Sequence, residues 1–231
     1  MFPPVKLLLL WDIDGTLITS GGAGMRALGA ALREVFAIDG SINDIDFAGR
    51  TDRWIMRQIF AKFALPATEE NFARLTDGYI AALPAALRDR GVRALPGVPE
   101  LLAGARARGD VALGLLTGNL RRGAEVKLSS RNLWAYFPFG AFADDSEDRN
   151  RLGAHALRRA RAHHGVDFAP GDTWVIGDTP HDIVCARAFG ARAAAVATGR
   201  HTVSELRAEN PDVVFADLAD AAGFWRAVDG G

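Results

Sequence analysis

Two carboxylates, Asp12 and Asp14, stand one residue apart in the segment Trp11-Asp-Ile-Asp-Gly-Thr-Leu17, directly after the apolar run of residues 7–10. Like charges this close repel, and an apolar neighbourhood raises the cost of ionising both. Two other apolar runs end in small polar or acidic residues. "VALGLL" leads into Thr117, Gly118 and Asn119, and "WVIG" leads into Asp178, with Asp182 four residues on. If the runs are neighbouring strands of an open parallel sheet, their carboxyl ends face one crevice. At least three carboxylates, a hydroxyl and loop amides then share that space. Three carboxylates stay ionised together only against a counter-charge. An all-oxygen set of this density suits Mg²⁺ better than zinc, for which there is no Cys/His spacing.

The elements that must hold these residues are legible as patterns. Lys6–Trp11 reads as a buried strand, and helical spacing follows from Ala23, with Ala27, Leu28, Ala31, Leu32, Val35 and Phe36 on one face. "GSINDIDFAGRTD" reads as a loop, and helical patterns resume over 51–63 and 69–87, with no strand pattern between about 18 and 92. Strand and helix then alternate: helices over 98–108, 121–131, 150–164, 182–189, 203–208 and 219–228, and strands in "DVALGLLTGN", "FGAFAD", "TWVIGD", "ARAAAVATG" and "DVVFAD". Gly165 falls at the C′ position of the 150–164 helix, where His163 and His164 suit the helix dipole. Such repeated units predict an α/β fold, a Rossmann-like parallel sheet core with helices on both faces. The all-helical block reads as an insertion, so residues 1–17 and 93–231 are expected to form the core and 18–92 a separate helical domain.

Composition narrows the function classes. In 231 residues, 49% apolar and 24% charged, the net charge is −1, which gives no global field for nucleic acid or an anionic membrane. The single cysteine, Cys185, excludes an internal disulfide and suits a reducing cytoplasm. No apolar run reaches the roughly 18–20 residues of a membrane span, and the N-terminal apolar patch is too short for a signal peptide. The expectation from composition is a cytoplasmic protein, monomer or homodimer, without nucleic acid or membrane as partner.

"DIDGT", "LLTGN" and "VIGDTPHD" resemble, in order and spacing, the first, second and fourth signatures of the haloacid dehalogenase superfamily of phosphohydrolases. The helical insert, "GGAG" (21–24) and "GRTD" (49–52) resemble the phosphoglycolate phosphatase-like and β-phosphoglucomutase-like branch, in which the insert is a cap domain. The resemblance implies that Asp12 is the nucleophile, forming an aspartyl-phosphate. It implies that Asp14 is the general acid/base and offers its carbonyl to Mg²⁺. Thr117 would bond a phosphoryl oxygen, helped by the amides of Gly118 and Asn119. Asp12, Asp14, Asp178 and Asp182 would hold Mg²⁺, Asp182 directly or through water. The usual third-motif Lys is missing; "SEDRNRL" offers Arg149 or Arg151, and Arg149, at a helix start, is preferred.

Other residues have two readings. Arg50 touches substrate from the cap or is a surface arginine. Thr51 and Asp52 cap the next helix. Gly22–Ala27 fits GxGxxA, but about ten residues separate it from the strand, so a hinge is expected rather than a dinucleotide site. His181 lies near the site without a motif role, and Cys185 packs in a helix. Within the superfamily it resembles, an Asp at position 14 implies hydrolysis of a phosphate ester, with a small phosphorylated metabolite such as phosphoglycolate or a sugar phosphate as partner, and sugar phosphomutase as the alternative. A phospho-acceptor receiver shares the clustered acids but has no helical insert.

Overall fold

The structure is a computed structural model that describes residues 5–89 and 91–230; residues 1–4 of the expected core segment, Arg90 and Gly231 lie outside these. In chain order it runs through β1 (Leu7–Trp11), β2 (Ile18–Thr19), α1 (Ala23–Phe36), α2 (Asp52–Lys62), α3 (Glu69–Asp89), β3 (Arg93–Ala94), α4 (Val98–Arg108) and β4 (Val111–Leu116). It continues through α5 (Arg121–Ser129), β5 (Phe139–Ala141), α6 (Leu152–His164), β6 (Thr173–Gly177), α7 (Pro180–Ala188), β7 (Arg192–Val196), α8 (Val203–Ala208), β8 (Val213–Phe215) and α9 (Ala221–Asp229). The six longer strands form one parallel sheet in the order β5-β4-β1-β6-β7-β8. The chain leaves β1 for β4 on one side and returns to β6 on the other. The carboxyl ends of β1, β4 and β6 are therefore adjacent at the switch point, where open α/β sheets bind ligands.

Period-two alternation divides the core between the two faces. Leu9 and Trp11 point to the face covered by α4, α5 and α9, through Leu101, Leu102, Ala124, Leu128, Phe224 and Val228. Leu8 and Leu10 point to the face covered by α6, α7 and α8, through Leu152, Ala156, Ile183 and Leu206. Full burial of each leucine contributes about 2 kcal/mol.

The helices α1, α2 and α3 stand outside the sheet and continue the first of these cores. The apolar stripe of α1 (Ala27, Leu28, Ala31) faces α3, where a Cβ on Gly78 would lie 2.7 Å from Val35, so the close approach requires glycine there. Both ends of this block are tied together by β2 and β3, which pair antiparallel, Ile18 opposite Ala94 and Thr19 opposite Arg93. The expected absence of strand between 18 and 92 is corrected by β2. Two residues are too few to show alternation, and only the return of the chain at β3 makes them a strand. Three helix starts differ by two residues: α7 begins at Pro180 rather than Asp182, α9 begins at Ala221 rather than Ala219, and residues 149–151 form a 3₁₀ turn ahead of α6, which begins at Leu152. Among the described residues no helix is long and apolar enough to cross a membrane.

Candidate active site

Asp12 is the first residue past β1 and still follows sheet geometry, its N–H donating to the Ile176 carbonyl at 2.9 Å. The chain then turns sharply. The Ile13 carbonyl accepts the N–H groups of Leu17 (2.9 Å) and Ile18 (3.0 Å), and Gly15 adopts φ +89°. A side chain at Gly15 would be strained there, and its Cβ would fall on the Asp178 carboxylate. Alternation and the turn send the two acids to different surroundings. Asp12 is buried against β6, whereas the Asp14 side chain stays 36% exposed toward the helical block.

Asp178 directly follows β6, and Asp182 lies in the first turn of α7. Carboxylate oxygens of Asp12, Asp178 and Asp182 lie within 4.8 Å of one another, and all three residues are buried. Cβ atoms at Gly15 and Gly199 would overlap the Asp178 carboxylate, and one at Gly177 would overlap that of Asp182. Glycines thus make the room in which the three acids meet. Thr16 Oγ1 donates to Asp178 (3.3 Å), while Thr179 donates to Asp182 Oδ2 through its N–H (3.0 Å) and hydroxyl (2.7 Å). Burial, followed by the neighbouring acids, drives the Asp12 and Asp178 carboxyls well above the ordinary range, against the opposing pull of Arg149. An all-oxygen, like-charged pocket of this kind fits a hard divalent cation.

The guanidinium of Arg149 is buried inside this cluster. Its Nη2 lies 3.0 Å from Asp12 Oδ1 and also bonds Asp182 Oδ1, and Nη1 donates to the Gly49 carbonyl at 3.2 Å. Cys185, packed in α7, braces the turn with an Sγ contact of 3.2 Å to the Arg149 carbonyl. Arg151 points away, 78% exposed beside Asp148.

Thr117 is fully buried after β4. Its Oγ1 accepts the Asn119 N–H (3.3 Å) and Nδ2 (2.9 Å), so both lone pairs are engaged and the hydroxyl proton is left to donate. Asn119 therefore spends its amide on Thr117 and gives Nδ2 also to Asp14 Oδ2 (3.0 Å). Gly118 lines the cavity, and a Cβ there would strike the Arg50 carbonyl. The 50–52 and 118–120 segments are pinned at that point. Asp52 N–H donates to the Gly118 carbonyl (2.6 Å), and the Leu120 N–H donates to Asp52 Oδ2 (2.8 Å). Asp52 does more than cap α2, a task that falls to Thr51, which accepts the Trp54 N–H at 3.2 Å. Burial pushes the Asp52 carboxyl up to about 6 despite the opposing Lys127 charge.

These groups surround a cavity of about 270 Å³ closed over by Met25, Leu28, Phe47 and Ile55 of the helical block. Arg50 lines it, with Nε 3.3 Å from Asp46 and its guanidinium 4.6 Å from the centre of the Trp54 ring. His181 lies in a neighbouring groove beside Gly49 and Trp54.

Three contributors escape sequence reasoning. Lys127, on α5, bonds Asp14 Oδ2 at 2.5 Å and Asn119 Oδ1, and Ser20 Oγ donates to Asp14 Oδ1 at 2.8 Å. Tyr79, on α3, is buried near them. The available signal for Lys127 is its place in the inward stripe Gly123, Ala124, Lys127, Leu128, where a lysine interrupts an apolar face. Burial raises the Asp14 carboxyl, but the Lys127 charge and the three hydrogen bonds outweigh it and hold Asp14 below the ordinary range.

A family model described as haloacid dehalogenase-like hydrolase matches residues 9–187. The probable phosphatase IndB of Dickeya dadantii (strain 3937) is 28% identical over 224 residues, covering 95% of this chain and 93% of that protein. A phosphoglycolate phosphatase of Synechococcus elongatus is 29% identical over 212 residues, covering 92% and 93%. The crystal structure of a hydrolase from Pseudomonas syringae shares the fold, with a TM-score of 0.71 at 21% identity over 94% of this chain and 97% of that one.

Proposed function

The chain belongs to the haloacid dehalogenase-like hydrolases and is a phosphatase of that family, and we propose that it hydrolyses a small phosphorylated metabolite with Mg²⁺, through an aspartyl-phosphate on Asp12. The observation that carries this reading is the division of labour between the two acids of the opening motif. Asp12 meets Asp178, Asp182 and Arg149 in the buried cluster, while Asp14 faces the cavity.

Asp12, Asp178 and Asp182, with the Asp14 carbonyl, would hold Mg²⁺, which supplies charge compensation for the acids and the phosphoryl group. Arg149 holds Asp12 Oδ1, so the other oxygen is the one to attack phosphorus. The guanidinium and the Thr117 hydroxyl stabilise charge on the phosphoryl oxygens. Asp14, held ionised by Lys127 in the free site, takes up the proton that a monoanionic phosphate ester brings and passes it to the leaving alcohol, then takes one from the water that cleaves the acyl phosphate. Residues 18–92 act as a cap over the core formed by 1–17 and 93–231. Their apolar lining excludes water, and Arg50 contacts the non-reacting part of the substrate. The phosphoglycolate phosphatase relative supports a small, compact phosphate ester as substrate.

The test is release of inorganic phosphate from an aryl phosphate and then from a metabolite panel, with and without Mg²⁺. Asp12→Asn should be inactive. Turnover that ignores Mg²⁺, or that survives in Asp12→Asn, overturns the mechanism.

A further inference from the structure

Resting on the phosphatase function above, we propose that Lys127 is a positioning residue that fixes the Asp14 carboxylate in its acid/base station. Three side chains hold that carboxylate, each from a different element. Ser20, ahead of α1, donates to Oδ1 at 2.8 Å, Asn119, after β4, donates to Oδ2 at 3.0 Å, and Lys127, on α5, donates to Oδ2 at 2.5 Å. All three bonds are charge-assisted through the carboxylate, and only the lysine bond joins two opposite full charges. Lys127 also bonds Asn119 Oδ1, so one ammonium orients both the acid and the neutral donor beside it.

The surroundings show that this ammonium is placed rather than incidental. Its side chain is 5% exposed on a helix face otherwise made of Gly123, Ala124 and Leu128, and burying a charge without partners is costly. The Asp14 carboxylate is drawn away from the Asp12, Asp178 and Asp182 cluster to Lys127 of α5 and Asn119 after β4. Tyr79 of α3 arrives at the same point. A Cβ on Gly24 would lie 3.7 Å from Lys127 Nζ and 3.8 Å from Tyr79 Oη, at ordinary van der Waals contact, so α1, α3 and α5 meet around the lysine. The Tyr79 hydroxyl is itself buried without a hydrogen-bond partner. Lys127 thus joins the helical block to the acid, and the two buried cations have different partners, Asp14 for Lys127 and Asp12 with Asp182 for Arg149. Arg149 serves the nucleophile, and Lys127 serves the proton donor.

A group that acts only through Asp14 has a specific kinetic signature. An alkyl alkoxide leaves only with protonation, whereas p-nitrophenolate leaves without it. Lys127→Met should therefore lower kcat/KM on an alkyl phosphate by about 10²-fold, the order expected for a misplaced catalytic group. On p-nitrophenyl phosphate kcat/KM should change by less than about 5-fold. There kcat and KM should fall together, with a burst of one p-nitrophenolate per enzyme, because water activation by Asp14 becomes slow. An equal loss of kcat/KM on both esters, or a rise in KM alone, overturns the proposal in favour of a structural or substrate-binding lysine. If Lys127→Met does not fold, Ser20→Ala decides, and it must show the same leaving-group bias in smaller measure. A wild-type protein inactive on both esters would instead refute the phosphatase function itself.

Discussion

The Arg149 guanidinium lies 3.0 Å from Asp12 Oδ1, across 137 residues of chain, and bonds Asp182 in the same cluster. One cation thereby sits between the nucleophile and a metal-facing acid, both buried. Arg149→Met should reduce kcat/KM by about 10²–10³-fold, comparable to losing one preorganised donor to developing charge. Arg149→Lys should fall between, since it keeps the charge but loses the planar fork. Inorganic phosphate should inhibit Arg149→Met less well than the wild type. The rise in Tm on adding Mg²⁺ should be larger in the variant, where less charge already offsets the acids. Unchanged kcat/KM in Arg149→Met would remove the arginine from the mechanism.

Asp12, Asp178 and Asp182 repel one another in a buried site. A cation that binds only the folded state stabilises it by mass action, about 2.7 kcal/mol at a hundredfold excess over Kd. Mg²⁺ should therefore raise Tm in a saturable way and EDTA should reverse it. Asp178→Asn should abolish most of the shift. Equal shifts in wild type and Asp178→Asn would place the cation elsewhere.

Gly199 abuts Asp178 so closely that an added Cβ would occupy the carboxylate's position. Gly199→Ala should leave the circular dichroism spectrum intact but weaken Mg²⁺ binding by about 10–100-fold, the range for disturbing the support of a metal ligand. Calorimetric titration with Mg²⁺ measures it. Wild-type affinity would show that Asp178 can move aside without consequence.

Asp52 sets a pH dependence of stability that is separate from the metal. Its carboxyl is raised from 3.8 to about 6 by burial, so between those values the folded chain keeps a proton the unfolded chain has released. Its contribution is fully present below pH 3.8 and is lost as pH rises through about 6, at up to about 1.4 kcal/mol per pH unit. Asp52→Asn keeps an acceptor for the Leu120 N–H and removes the titration. Denaturation midpoints in EDTA should show the wild type weakening relative to Asp52→Asn between pH 4 and 6 and running parallel above. Parallel curves across the whole range would show that Asp52 does not titrate there.

Much of this architecture is written locally. The four-leucine run before Asp12, the apolar runs of β4 and β6, and the helical stripe on α1 are each patterns among neighbours in the chain. The placing of Asp12, Thr117 and Asp178 after apolar strands follows from the same local signal. In sequence the two arginines of residues 149–151 are told apart only by the place of Arg149 at a helix start, and the packing of the 3₁₀ turn buries Arg149 and exposes Arg151. Lys127 and Ser20 carry no motif, and they reach Asp14 because α5 and the start of the helical block meet across the cavity. The sequence alone determined which groups stand at strand ends. Tertiary structure decided which charges face one another, because an electrostatic partnership depends on distance in space, and chain separations as long as 137 residues say nothing about that distance.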